Sequence, residues 1–296
     1  MFRVSCIQLK SNNNILQNLE KTEKLISKAV KQKSDFILTP EISSLFSLNK
    51  RHLLKICKPM NEDIYLKKIK KLAKKYKKWI LVGSLIIKVS KNKLVNRSVL
   101  VDKTGKIRTY YDKIHMYDVV LSKREKYFES KSFFAGKKIK SFNLPWGKIG
   151  FSICYDLRFP HLYQALVDGG ASILTVPAAF TLQTGKDHWE VLLRARAIEN
   201  QCYVLASDQF GHHSKGRASW GKSLIADPWG TLVALMPPGI GIRRASRAFV
   251  GSGDVRENTI YNNIHLNSTP VPWIIVGSGS SSFSAPRGLR RKKANP

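Results

Sequence analysis

Residues 147–160 read GKIGFSICYDLRFP, and this stretch constrains the fold more than any other. Ile149, Phe151 and Ile153 alternate with small residues at the period of a half-buried strand, and the pattern stops at Cys154 and the following Asp156, Leu157, Arg158, Phe159 and Pro160. A strand that stops on a thiol puts a reactive group where backbone N–H groups no longer pair with a neighbour and can face a ligand. One free cysteine is more often a small buried hydrophobe, so Cys154 carries weight only with partners. Two upstream segments supply them. DFILTPE is an apolar strand that ends in Pro40 and Glu41, and TYYDKIHMYD is a β-rich run that carries Lys113.

The chain around these segments alternates in type. Residues 4–9 read as a strand, the cluster of Asn12, Asn13 and Asn14 can cap a helix, and Ile15, Leu19, Leu25, Ile26, Ala29 and Val30 mark its apolar face. Residues 35–38 return as a strand, completing a βαβ unit that exits at Glu41. Residues 45–60 read as irregular or helical, and residues 79–87 as another strand. Residues 98–101 and 107–111 flank DKTGK, where Gly105 can take a positive φ, so a hairpin is expected. Residues 119–134 read as a polar loop with a helical turn, and residues 160–169 as a helix with Pro in its first turn and Gly at its end. A buried strand over 171–176 leads to Phe180 and Thr181. Residues 188–200 form a core helix with Trp189, Leu192, Leu193 and Ala197 on one face, and short strands follow at 202–207, 223–226 and 231–234.

A chain of 296 residues that is 43% hydrophobic is long enough for one large catalytic domain. Its four cysteines are far apart and lack metal-ligand spacing, which argues against a disulfide framework or a zinc site and for a reducing, cytoplasmic setting. The first residues run straight into an alternating strand rather than a signal sequence, and no apolar run suits a membrane span. The net charge of +31 raises nucleic acid as a partner. Its distribution argues against a specific one. Eight of the twelve residues from 67 to 78 are Lys, yet Ile69, Leu72, Ala73 and Tyr76 share one helical face, so the lysines coat a solvated face of an amphipathic helix. Composition changes near residue 235. Residues 236–296 hold 2 Lys and 7 Arg, against 33 Lys and 9 Arg before them, with GSGSSSFS and no helical period. A domain over 1–235 and an atypical, disordered tail over 236–296 are expected.

The TPE, YDKIH and CYDLRFP segments resemble the Glu, Lys and Cys motifs of the nitrilase superfamily of carbon–nitrogen hydrolases. The runs HWEVLLRARAIENQCYV and GHHSKGRASWGKSLIADPWGT look most like its deaminated glutathione amidase branch. The resemblance covers roughly residues 1–235. It implies an α/β fold, a four-layer αββα sandwich, with Cys154 as nucleophile, Glu41 as base and Lys113 as cationic donor to the oxyanion beside the Tyr155 N–H. A second Glu occurs in the family just upstream of a Gly, which points to Glu129 ahead of Gly136, with Glu125 as runner-up. Tyr155, Arg158, Phe180 and Thr181 become candidates for the substrate, with Arg196 and Arg217 as further carboxylate contacts. No cofactor or metal is implied. A small anionic amide is the implied substrate and a homodimer the implied assembly.

Simpler readings stay open beside these. Glu41 also suits a solvated strand-exit carboxylate, and Lys113 is one Lys among 35. Arg158 suits a salt bridge with Asp156, His188 a packing role at a helix start, and His212 and His213 a loop bordering the pocket; His115 has no catalytic spacing. An ω-amidase acting on 2-oxoglutaramate, a family member inactivated by its altered C-terminus, and a basic nucleic-acid-associated protein remain alternatives.

Overall fold

The computed structural model describes residues 2–121, 126–214 and 217–247. The first half of the chain builds one sheet: β1 (Phe2–Gln8), β2 (Phe36–Leu38), β3 (Trp79–Ser90), β4 (Lys93–Val101) and β5 (Ile107–Asp112). A small hairpin, β6 (Asp118–Val120) with β7 (Lys126–Phe128), stands apart. The second half builds a second sheet from β8 (Ser141–Leu144), β9 (Gly147–Phe151), β10 (Ile173–Ala178) and β11 (Tyr203–Asp208). After the hairpin β12 (Phe210–Ser214) and β13 (Arg217–Trp220) come β14 (Leu224–Ala226), β15 (Leu232–Leu235) and β16 (Gly241–Arg247).

Both sheets follow one plan. The first runs β16-β1-β2-β3-β4-β5 and the second β15-β14-β11-β10-β9-β8. In each, three parallel strands form the centre and antiparallel strands flank them. Parallel strands need crossovers, and helices supply them. Helix α1 (Ile15–Lys31) links β1 to β2, α2 (Lys50–Ile56) and α3 (Ile64–Tyr76) precede β3, and α4 (Pro160–Asp168) links β9 to β10. A single turn, α5 (Leu182–Thr184), and a π turn over Gly185–Trp189 lead into α6 (Glu190–Asn200) ahead of β11.

The pleat sorts side chains into layers, because successive strand residues point to opposite faces. From β1 and β2, Val4, Cys6, Phe36 and Leu38 join one buried cluster with Leu174, Val176 and Leu205 of the second sheet. Their neighbours Ile7 and Ile37 instead join Ile26 and Ala29 of α1 and Tyr65, Ile69 and Leu72 of α3. Leu162 and Leu166 of α4, Trp189 at the end of the π turn, and Leu193 and Ala197 of α6 cover the second sheet. The result is the αββα sandwich, with each fully buried Leu or Ile contributing about 1.5–3 kcal/mol. On α3 the lysines at 67, 70, 71, 74 and 75 are exposed while Ile69, Leu72 and Ala73 are buried, as its spacing predicts. Asn14 caps α1, its side chain accepting from the Gln17 N–H at 3.1 Å.

The expected disorder from residue 236 is corrected as far as residue 247. β16 lies antiparallel to β1, from Gly241 opposite Gln8 to Arg247 opposite Phe2, so the sheet continues past the composition break. The open edge of β1 supplies what the weak pattern of GIRRASR lacks: a row of backbone partners. Gln8 fastens the connection through its Nε2, which donates to the Pro237 carbonyl at 3.1 Å and the Gly239 carbonyl at 2.6 Å. The remainder of the expected tail lies outside the described residues. Three further strands, β8, β12 and β13, and the hairpin β6–β7 escape the sequence pattern because each strand is only 3 to 5 residues long, too short to show an alternation.

Candidate active site

Glu41, Lys113 and Cys154 each follow the end of a central or flanking strand, β2, β5 and β9, and all three line one cavity of about 350 Å3. Glu41 is set by a tight approach. Gly83 of β3 lies so close that a Cβ there would stand 1.8 Å from the Thr39 carbonyl oxygen and 2.5 Å from the Pro177 Cβ. The Gly83 N–H donates to Thr39 Oγ1 at 3.0 Å and the Ile42 N–H to Ser84 Oγ at 2.7 Å, which brackets Glu41 on both sides. Lys113 is tied by its N–H to the Asn96 carbonyl at 2.9 Å, and its own carbonyl accepts from Gly136 at 2.7 Å. Cys154 has φ +49, a left-handed conformation that non-glycine residues seldom adopt and that tends to mark functional sites. Asp156 holds this turn. Its Oδ2 accepts from the Ile153 N–H at 2.8 Å and the Tyr111 hydroxyl at 2.7 Å, and its Oδ1 from the His115 N–H at 3.0 Å.

The charges form a closed network. Lys113 Nζ donates to Glu41 Oε1 at 2.9 Å and to Glu129 Oε2 at 2.8 Å, and Asn96 Nδ2 reaches the Oε1 atoms of the same two carboxylates at 2.8 and 3.3 Å. Glu129 Oε2 also accepts from the Tyr117 N–H at 2.7 Å. Burial alone lifts the Glu41 carboxyl, but the Lys113 ammonium and the hydrogen bonds from Lys113, Cys154 and Asn96 outweigh it and hold the group below its ordinary range. Burial alone lowers Lys113; Glu129, Glu41 and Cys154 outweigh that and raise it well above the usual lysine range. Burial and the adjacent Glu41 charge push the Cys154 thiol well above its ordinary value, against Lys113 and the Ala179 N–H that faces the sulfur. The resting site therefore holds a neutral thiol, an ionised carboxylate and a protonated lysine.

Tyr155, Arg158, Phe180 and Thr181 line the same cavity, as does Arg217. Asp208 sets the Phe180 segment by accepting from its N–H at 3.0 Å. Other expectations are corrected. Arg158 makes no ion pair with Asp156, whose oxygens are taken by Tyr111, His115 and Ile153; its Nη2 meets His188 Nδ1 at 3.1 Å instead. His188 is thus an exposed partner of Arg158 rather than a packing residue. Arg196 is buried away from the cavity, donating twice to the Leu157 carbonyl and pairing with Glu199 at 2.6 Å. His212 and His213 lie on β12; His213 stacks on Phe46 at 4.0 Å and bonds the Ser11 carbonyl at 2.8 Å. His115 stacks on Phe159 at 3.6 Å. Glu125 lies outside the described residues. Sequence reasoning missed Asn96, although an Asn buried inside the apolar run KLVNRSVLV was its signal.

The carbon-nitrogen hydrolase family profile matches residues 3–244, and the chain belongs to that family: it is a hydrolase of carbon–nitrogen bonds other than peptide bonds. Among its relatives, the deaminated glutathione amidase of Yersinia enterocolitica is 37% identical over 256 residues, covering 86% of this chain and 89% of that protein. The deaminated glutathione amidase of Bos taurus is 37% identical over 81% of this chain and 74% of its own length. Among solved structures, the C. elegans NitFhit protein superposes with a TM-score of 0.78 at 36% identity over 82% of this chain, which spans 60% of that one. Nit3 of Saccharomyces cerevisiae gives 0.74 at 26% identity, over 82% and 89% of the two chains. Among the described residues no helix is long and apolar enough to cross a membrane.

Proposed function

We propose that the chain hydrolyses deaminated glutathione to 2-oxoglutarate and cysteinylglycine through a thioester on Cys154. One observation carries this reading: Cys154, Glu41 and Lys113 share one cavity with three further cationic side chains. Lys113, Lys126, Arg158 and Arg217 line it against Glu41 and Glu129, a surplus of two positive charges that suits a substrate with two carboxylates. Relatives named for that substrate, 36–38% identical, support the same choice.

In this mechanism Glu41 takes the thiol proton as sulfur attacks the amide carbonyl, forming the C–S bond. Lys113 and the Tyr155 N–H stabilise the oxyanion. Glu41 passes the proton to the amine nitrogen as the C–N bond breaks. It then takes a proton from water, whose oxygen attacks the thioester, and returns it to the departing sulfur. Glu129 orients Lys113 throughout. The test follows release of 2-oxoglutarate from deaminated glutathione and from 2-oxoglutaramate, with the natural chain and Cys154→Ala side by side. Preference for the first substrate, abolished in the variant, is expected. Preference for 2-oxoglutaramate, or activity that survives Cys154→Ala, overturns the reading.

A further inference from the structure

We propose that Arg217 binds the carboxylate on the acyl half of the substrate and thereby makes this site selective for anionic amides. The proposal deepens the function proposed above and rests on it for the substrate's identity. Arg217 opens β13, is only 8% exposed and forms part of the wall of the cavity that holds Cys154. Its Nη2 donates to the Ala179 carbonyl at 2.8 Å. Its Nε and Nη1 have no hydrogen-bond partner, and no carboxylate among the described residues pairs with it. The other well-buried guanidiniums are treated differently. Arg97 holds both oxygens of Asp112, and Arg196 pairs with Glu199 and bonds the Leu157 carbonyl.

A buried guanidinium with orphaned N–H groups is costly, because its lost hydration is unreplaced. The rings of Tyr127 at 4.6 Å and Tyr117 at 5.9 Å offset part of that cost and fix the plane of the group. Nη1 and the second N–H of Nη2 form the fork that matches a carboxylate. The missing counter-charge is therefore one that arrives with the substrate.

Reach selects the acyl half. Arg217 bonds the carbonyl of Ala179, and the N–H of that same residue faces the Cys154 sulfur. Summing two hydrogen bonds and the span of one residue places the guanidinium at most about 10 Å from the sulfur. In a 2-oxoglutaryl thioester the carboxylate carbon lies about 5 Å from the acyl carbon, which fits that limit with room for a C–S bond and a hydrogen bond. Arg158 is less buried, and its Nη2 is shared with His188. It is left to meet the other carboxylate.

The test compares Arg217→Met and Arg217→Lys with the natural chain on three amides: deaminated glutathione, 2-oxoglutaramate, and 4-oxopentanamide, which keeps ketone and amide but lacks the carboxylate. Arg217→Met should lose about 10- to 100-fold in kcat/KM on both anionic amides, mainly through KM, the size expected for a charged hydrogen bond. Its loss on 4-oxopentanamide should be at least about 10-fold smaller, because only the Ala179 contact is removed there, so the ratio of the two losses isolates the carboxylate. Arg217→Lys should fall between. Equal loss on all three substrates, or none on the anionic pair, overturns the proposal, and loss confined to deaminated glutathione assigns Arg217 to the leaving half and overturns it too. Calorimetric titration of Cys154→Ala and Cys154→Ala/Arg217→Met with 2-oxoglutaramate gives a readout that needs no turnover. Should the natural chain leave deaminated glutathione uncleaved, the function above fails, while the titration still decides the role of Arg217.

Discussion

Replacing Lys113 by Met tests the electrostatic account of the site most directly. Lys113, Glu41 and Glu129 have side chains exposed by only 2%, 6% and 14%, so the pairs at 2.9 and 2.8 Å are poorly screened. Removing the ammonium leaves two buried carboxylates sharing one Asn96 amide. Breaking a buried pair from one side costs about 3–5 kcal/mol, which is the expected destabilisation at neutral pH. Two close carboxylates with no cation cannot both stay ionised, so the folded variant takes up a proton that the unfolded chain, with an ordinary Glu near 4.5, has released. The folded state then binds more protons than the unfolded one, and the variant gains stability as pH falls. The gain is about 1.4 kcal/mol for each pH unit over which the difference is one proton. In the natural protein the Glu41 pKa is depressed, so its contribution is fully present above 4.5 and fades only below that. Urea unfolding of both proteins from about pH 7 to pH 5 should therefore show the gap shrinking by about 2–3 kcal/mol. A gap that is independent of pH, or under about 1 kcal/mol at neutral pH, refutes the reasoning.

The pH profile of kcat/KM should be flat across neutrality, with an acid limb set by Glu41 below 4.5 and a basic limb set by the thiol above 9.0; an inflection in the histidine range, about pH 6–7, contradicts a Glu base. Glu41→Gln should leave a folded protein whose Cys154 is acylated slowly, read as the loss of a product burst. Gly83→Ala forces a Cβ to 1.8 Å from the Thr39 carbonyl oxygen, so it should cost at least about 2 kcal/mol in a denaturant melt and lower kcat by displacing Glu41. Deleting residues 241–247 uncovers the β1 edge, and light scattering should report assemblies larger than those of the full chain at equal concentration.

Glu41 and Cys154 are legible because each follows an apolar strand, and the end of such a run is visible in sequence; Lys113, after the mixed run IRTYYD, is picked out of 35 lysines only by the family motif. Their convergence was legible only through the family resemblance, since nothing in residues 35–41 says that β2 and β9 belong to facing sheets. Asn96 was missed because its role comes from two carboxylates distant in sequence. Arg196 lies away from the cavity for the same reason: charge suggests a substrate contact, while the Leu157 carbonyl and Glu199 hold the guanidinium elsewhere. Arg158 lines the cavity, but its His188 partner, 30 residues away, leaves no mark in the sequence. β16 escaped because its stability comes from the partner strand rather than from its own pattern.

The state of the four thiols has a redox consequence. Cys6, Cys57 and Cys202 are buried and pushed up to about 12, and Cys154 stands well above its ordinary value. Peroxides and disulfides react with thiolates, and at neutral pH this chain offers almost none. In the proposed mechanism Cys154 gains its nucleophilic form only while Glu41 removes the proton in concert with attack on a bound carbonyl. In the proposed reaction the leaving product, cysteinylglycine, is itself a thiol that oxidises to a disulfide, and a site of this kind releases it without being captured as a mixed disulfide.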